Sequence, residues 1–200
     1  MKKINLDNVQ EAGSFERLPA GCYECKIIKV EDVANREYLK IYFDITNGNY
    51  KGWFKKQYDE DNREQKQWSG NFVRSYKESA LPFFKGFVTA CENSNKNFKW
   101  DGVNEQDFVK KNVGLVIGYE EYINNNGKKR VRMVADPHSI DKIKSGEIPI
   151  PELKKLDPSK EVQTVKSEFV DPFSDNAVST EATTPVENDP FANSDENPFD

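Results

Sequence analysis

From Gly21 onward the chain alternates apolar and polar residues with the two-residue period of a strand. The run Gly21–Val33 alternates loosely and is rich in Tyr, Ile and Val, and residues 37–46 alternate cleanly. Successive strand side chains point to opposite faces, so Leu39, Ile41, Phe43 and Ile45 form a core row, while Tyr38, Lys40, Tyr42 and Asp44 form an outer one. Asn47-Gly48 follows. An Asn-Gly pair between apolar runs predicts a tight hairpin, because both central positions of the favoured turn need positive φ. Residues 50–58 then read as the third strand of a meander. Tyr50, Phe54 and Tyr58 point inward, and Lys51, Trp53, Lys55 and Gln57 outward.

The pattern then changes. Residues 59–70 are a charged loop containing Trp68, and residues 71–93 carry Phe72, Tyr76, Leu81, Phe84, Phe87, Val88 and Cys91 mostly three to five positions apart, a helical spacing. Pro82 suits the first turn of a helix starting near Ala80, and residues 104–110 give one more helical turn. Strand patterning returns over residues 113–123, Asn124-Asn125-Asn126-Gly127 is a turn, and residues 128–135 alternate with Val131 and Met133 on one face. Residues 139–145 read as a helical turn, and Ile148-Pro149-Ile150-Pro151 as an extended exit. Residues 1–18 are polar, with isolated Leu6, Val9, Phe15 and Leu18, and receive no element.

The order β-β-β-α-β-β predicts a mainly β (α+β) domain. It is the order of a five-stranded OB-fold-like barrel with a helical insertion between strands 3 and 4. Other small barrels and α+β sandwiches share that order.

Beyond residue 156 the bulky apolar residues are sparse, without a period of 2 or 3.6, and separated by Pro, Ser, Thr and Asn. Such a stretch buries too little apolar area to offset roughly 1–2 kcal/mol per residue of backbone ordering, so disorder is expected. The chain therefore divides into an OB-like domain at 1–156 and a disordered acidic linker and tail at 157–200. All 29 Lys and Arg and 26 of the 34 Asp and Glu precede residue 171, so a body of net charge +3 carries a tail of net charge −8. A split of that kind suits a body made for an anionic partner.

The outer rows give that partner a chemistry. Tyr38, Tyr42 and Trp53 interleave with Lys40, Lys51 and Lys55. Aromatic rings stack on unpaired bases for roughly 1–3 kcal/mol each without regard to sequence, and lysines neutralise phosphates. Duplex DNA offers no open base faces, so the expected ligand is single-stranded DNA. Lys128, Lys129, Arg130 and Arg132 add four cations at the strand 4–5 loop, where the groove of such a barrel ends. Outward Tyr and Trp are also ordinary cross-strand pairs, and a register slip of one residue would move Trp53 into the core.

Other constellations carry less. Cys22-x-x-Cys25 has no second pair to complete a zinc site, and with Cys91 and the sole histidine, His138, the set reads as structural. Asp59-Glu60-Asp61 reads as solvated loop carboxylates. No phosphate loop, Gly-x-Ser-x-Gly or paired-carboxylate signature is present, so neither an enzyme nor a cofactor is expected. Three cysteines and the lack of an apolar stretch near ~20 residues imply a reducing, cytoplasmic setting with no membrane partner.

The tail carries Pro-Phe at Pro172-Phe173, Pro190-Phe191 and Pro198-Phe199, the last within Asp195-Glu196-Asn197-Pro198-Phe199. With this tail the chain resembles bacterial and phage-encoded single-stranded DNA-binding proteins, which join an OB-fold domain through a flexible linker to an acidic Pro-Phe tip. The segments from Leu18 to Tyr23 and from Tyr38 to Ile45 look like small phage proteins of Gram-positive hosts. The resemblance implies a non-enzymatic protein in the host bacterial cytoplasm that coats single-stranded DNA during replication or recombination. It also implies docking of replication or recombination proteins on Asp195, Glu196, Pro198 and Phe199. Two positions depart from the family pattern. Asp200 follows Phe199, and Asn197 stands where an apolar residue is usual. A homo-oligomer is compatible with the sequence. Two other classes stay open: an adaptor whose Asp/Asn-Pro-Phe repeats bind partner domains, and a recombination or nuclease accessory enzyme.

Overall fold

The computed structural model describes residues 16–124 and 126–156. The start of the chain and the tail, including Asp195, Glu196, Pro198 and Phe199, lie outside the described residues. Among the described residues no helix is long and apolar enough to cross a membrane.

The elements in chain order are β1 (Gly21–Val33), β2 (Tyr38–Ile45), α1 (Trp53–Glu60), β3 (Asn71–Ser75), α2 (Leu81–Ser94), β4 (Asn112–Ile123), β5 (Lys129–His138) and α3 (Ile140–Lys144). One five-stranded sheet runs β3-β2-β1-β4-β5, with every neighbouring pair antiparallel. The expected core row of β2 is buried, as Leu39, Ile41, Phe43 and Ile45 are each at most 4% exposed. They meet Cys25, Ile27 and Val30 of β1, Phe72 of β3, and Val113, Leu115 and Ile117 of β4. Helix α2 begins with Pro82 in its first turn and turns Phe84, Phe87, Ala90 and Cys91 into this core. Phe87 lies between Phe72 and Phe108, with ring centroids 5.9 and 4.8 Å away.

The expected third strand over residues 50–58 does not form. Most of that stretch is α1, and the true third strand is β3, inside the stretch read as helical. The physical reason is a cap. Asp44, fully buried, accepts the amides of Ile45 and Phe54 on Oδ1 at 2.8 and 3.0 Å and that of Lys55 on Oδ2 at 3.1 Å. Phe54 and Lys55 are the second and third residues of α1, whose amides have no acceptor within the helix. Gly52, at φ +69°, turns the chain into the helix in a conformation that costs glycine little. Gly70 then lets the chain return against β2. A Cβ there would stand 2.6 Å from the Phe43 carbonyl oxygen and 2.6 Å from the Phe54 ring.

The two edge strands approach each other. Arg74 of β3 faces inward with Phe72, and its Nη2 donates to the Ala135 carbonyl of β5 at 3.1 Å and to Asp136 Oδ1 at 3.3 Å. The other end of β4 has a further neighbour. β1 pairs with β4 only as far as Ile117, and beyond that point the chain after α3 returns as a short strap. The Lys154 amide donates to the Tyr119 carbonyl at 3.0 Å, and the Glu121 amide donates to the Lys154 carbonyl at 2.9 Å. Pro151 lies over Gly118, where an added Cβ would come within 2.7 Å of Pro151 Cγ.

Candidate nucleic-acid interface

Three of the residues singled out by patterning share one sheet face. The register sets Tyr38 opposite Val33, Lys40 opposite Glu31 and Tyr42 opposite Lys29, so these six side chains form one outer patch on β1 and β2. A bulge makes this possible. Ile27 pairs with Phe43 and Lys29 with Tyr42, which leaves Ile28 as the extra residue and brings Lys29 to the outer side. Lys29 was missed because strict alternation through Ile27-Ile28 hides such a shift.

The patch is a bonded cluster. The Tyr42 hydroxyl donates to Glu31 Oε2 at 2.8 Å, and Lys29 Nζ pairs with Glu31 Oε1 at 2.8 Å. Lys29 and Lys40 hold their ammonium groups 5.8 and 5.1 Å from the Tyr42 ring centroid, within cation–π range. Burial, followed by the bond to the Glu31 carboxylate, pushes the Tyr42 hydroxyl well above its ordinary value. Burial alone would raise the Glu31 carboxyl. The hydrogen bonds from Lys29 and Tyr42, with the Lys29 and Lys40 charges, outweigh it and hold Glu31 below the carboxylate range. Tyr42 is only 6% exposed, so it presents no open ring face to a base in this conformation. Tyr38, at the end of the row, is partly exposed.

The expected contribution of residues 51–55 is rearranged by α1. Trp53 is not on a strand beside Tyr42. It opens α1, partly buried, with its ring edge-on to Tyr50 at 5.4 Å. Lys55 lies within α1 and pairs with Asp59 at 2.9 Å, while Lys51 is exposed in the preceding turn. Asp44 belongs to the outer row, so α1 begins at one end of that row. Trp53, Lys51 and Lys55 therefore flank the row instead of interleaving with it.

The strand 4–5 cations form an arm. Beyond Ile117, β4 and β5 continue as a two-stranded ribbon in which Tyr122 faces Arg130 and Glu120 faces Arg132. Asn124 Oδ1 accepts the amides of Asn126 and Lys128 at its tip, and Gly127 takes φ +68° there. Arg130 and Arg132 share one face of the ribbon, and Lys129 lies on the other. Arg132 Nε pairs with Glu120 Oε1 at 2.6 Å, with its guanidinium 5.4 Å from the Tyr122 ring centroid. Lys129 Nζ pairs with Glu121 Oε2 at 2.8 Å, and that bond, together with the amide of Leu156, holds Glu121 below the ordinary carboxylate range. Lys128 and Arg130 are exposed. The row and the arm are separate features on the two halves of one sheet.

Among the described residues no three His, Cys, Asp or Glu side chains group as a metal site. Cys25 and Cys91 are buried, and burial raises both thiols well above the ordinary value. His138 Nε2 lies 3.0 Å from Asp136 Oδ2 on the same edge that Arg74 reaches. No protein-family model matches the chain, and no curated protein matches its sequence.

Proposed function

We propose that the chain is a non-enzymatic, sequence-tolerant single-stranded DNA-binding protein, built on an OB-like barrel and joined to a tail that recruits replication or recombination proteins. The strand order β3-β2-β1-β4-β5 supports the barrel reading, because it is the order obtained by opening a closed five-stranded barrel between strands 3 and 5. Arg74 spans that seam. A helix between strands 3 and 4 stands where such barrels carry one.

The observation that carries the binding reading is the pairing of a ring-and-ammonium row, Lys29, Tyr38, Lys40 and Tyr42, with a cationic arm at Lys128, Lys129, Arg130 and Arg132. Phosphate contacts supply affinity that does not depend on sequence. Stacking adds preference for unpaired bases, and Tyr38 at one end of the row and Trp53 beyond the other are the rings available for it. The geometry shifts the balance from stacking toward charge. The acidic Pro-Phe tip would bind by Phe199 as the apolar anchor, with Pro198 limiting the entropy lost and Asp195 and Glu196 facing cations on the partner.

Filter binding of the full chain to a thymidine oligonucleotide, a duplex of equal length and the matching RNA, at two salt concentrations, tests this. Tight, salt-sensitive binding of the single strand with weaker duplex binding is expected. Equal affinity for duplex and single strand would refute the base-stacking part, and no binding at low salt would refute the whole reading.

A further inference from the structure

The strap at residues 151–156 lies against the arm through two carboxylates, each of which serves both. Glu121 Oε2 accepts Lys129 Nζ at 2.8 Å and the Leu156 amide at 3.1 Å on the same oxygen. Glu120 holds Arg132 Nε on Oε1 at 2.6 Å, and Lys154 Nζ stands 3.9 Å from its Oε2. The strap backbone is fixed as well, by the two ladder bonds of Lys154 and by the seat of Pro151 on Gly118. The arm is therefore flanked by a strap joined to β4 at one bridge, Lys154 beside Glu120, and the strap carries Lys154 and Lys155, both exposed.

We propose that the strap is part of the polyanion-binding site, with Lys154 and Lys155 holding phosphates next to those held by Arg132 and Lys129. This rests on the single-strand-binding reading and extends it to residues that patterning placed in the exit from the domain. A Lys and an Arg on opposite oxygens of one carboxylate are held close enough to serve neighbouring phosphates, and Glu120 keeps them apart without neutralising both. The Glu120 carboxylate carries one charge against two, so this local group stays net positive. Ordering a lysine before the ligand arrives lowers the side-chain entropy lost on binding, and the ladder orders the strap backbone in that way. Linkage then requires the ligand to stabilise the strap on β4 to the same degree that the docked strap stabilises the ligand.

Two variants separate charge from position. Lys154→Gln with Lys155→Gln removes the cations and leaves the ladder. Gly118→Ala removes no charge, but its Cβ displaces Pro151. In the full chain, the double glutamine variant is expected to reduce the slope of log affinity against log salt by roughly 1.4, the value for two single-strand phosphate contacts. Gly118→Ala is expected to weaken thymidine-oligonucleotide binding by roughly threefold at low salt, a fraction of one phosphate contact's worth. Amide hydrogen exchange at Glu121 and Lys154, the two strap ladder donors, should slow when the oligonucleotide binds, with exchange at Ile41 and Ile117 reporting that each variant is folded. Binding with an unchanged slope in the glutamine variant, or with unchanged or faster exchange at Glu121 and Lys154, overturns the strap's role and leaves the wider reading intact. No binding by the unaltered chain at low salt overturns both.

Discussion

The ion pairs at the proposed interface make its salt dependence the most informative measurement. Among the row and arm cations, Lys29, Lys129 and Arg132 are paired with Glu31, Glu121 and Glu120 at 2.6–2.8 Å, while Lys40, Lys128 and Arg130 make no ion pair among the described residues. Each phosphate neutralised on a single strand contributes about −0.7 to the slope of log affinity against log salt. If all six cations engage, the row and arm contribute about −4, a loss of roughly 300-fold between 50 and 200 mM salt. If the paired three stay with their carboxylates, the contribution is about −2 and the loss about 20-fold. The perturbation is Lys128→Gln with Arg130→Gln, at exposed positions where surface substitutions change stability by only about 0.5 kcal/mol or less. It should bring the slope toward zero by about 1.4 whichever set engages. Fluorescence anisotropy of a labelled thymidine oligonucleotide over that salt range reads both quantities. The wild-type slope tells whether carboxylates yield their cations to phosphate, and the shift in the variant tells whether the arm is in the interface. A wild-type slope between zero and −0.7, or an unchanged slope in the double variant, would refute the reasoning.

Asp44→Ala removes the acceptor of three amides, two of them buried, and should destabilise the domain by about 2–3 kcal/mol in urea unfolding, with the far-ultraviolet helix signal falling first. Burial raises the Asp44 carboxyl above its ordinary 3.8 against the pull of its three amides, so the folded state holds that proton more tightly than the unfolded one. Its contribution therefore favours folding at low pH and declines as pH rises through the folded value, and the stability gap between wild type and Asp44→Asn should narrow over that rise. An Asp44→Asn gap that widens with pH would contradict the assignment. Deleting residues 171–200 removes eight carboxylates and no cation and should tighten oligonucleotide binding, most at low salt, where screening is weakest. Unchanged or weaker binding would remove the idea that the tail competes for the cationic surface.

The parts of the fold that patterning recovered are those where one period dominated. β1, β2, β4 and β5 each run for eight residues or more of β-rich sequence, and α2 has both its apolar spacing and Pro82 at the start. The failure at residues 50–58 has a definite origin. Tyr50, Phe54 and Tyr58 are four apart, a spacing that suits every second turn of a strand and also one turn of a helix. The Asn47-Gly48 pair tipped the choice to a hairpin. What decided it in the molecule was Asp44, an acceptor ten residues before the helix amide it caps, and no local pattern reveals a cap at that distance. β3 was hidden for the opposite reason. At five residues, with Phe72 its one buried side chain, it carries too short a signal to stand out from the helix that follows.

The site was legible only in part, for a related reason. The outer row of β2 was identified correctly as a face, but a face is not a set of open rings. Tyr42 is on it and is covered, because the bulge in β1 brings Lys29 opposite, and Glu31, opposite Lys40, reaches the Tyr42 hydroxyl. The same partners that cover the ring supply the charge. Lys29 and Lys40 sit over the Tyr42 ring, Lys29 paired with Glu31, and Arg132 and Lys154 stand on the two oxygens of Glu120. Cations held by a shared acid are ordered but not neutralised, and they are ordered by groups that a phosphate can replace. A surface built this way has low affinity for small anions, since one phosphate must displace one carboxylate for little net gain. A polyanion gains at every position along the strand and releases counterions as it does so. Free phosphate and mononucleotides should therefore compete poorly with an oligonucleotide for the same arm, even though each contact is chemically identical.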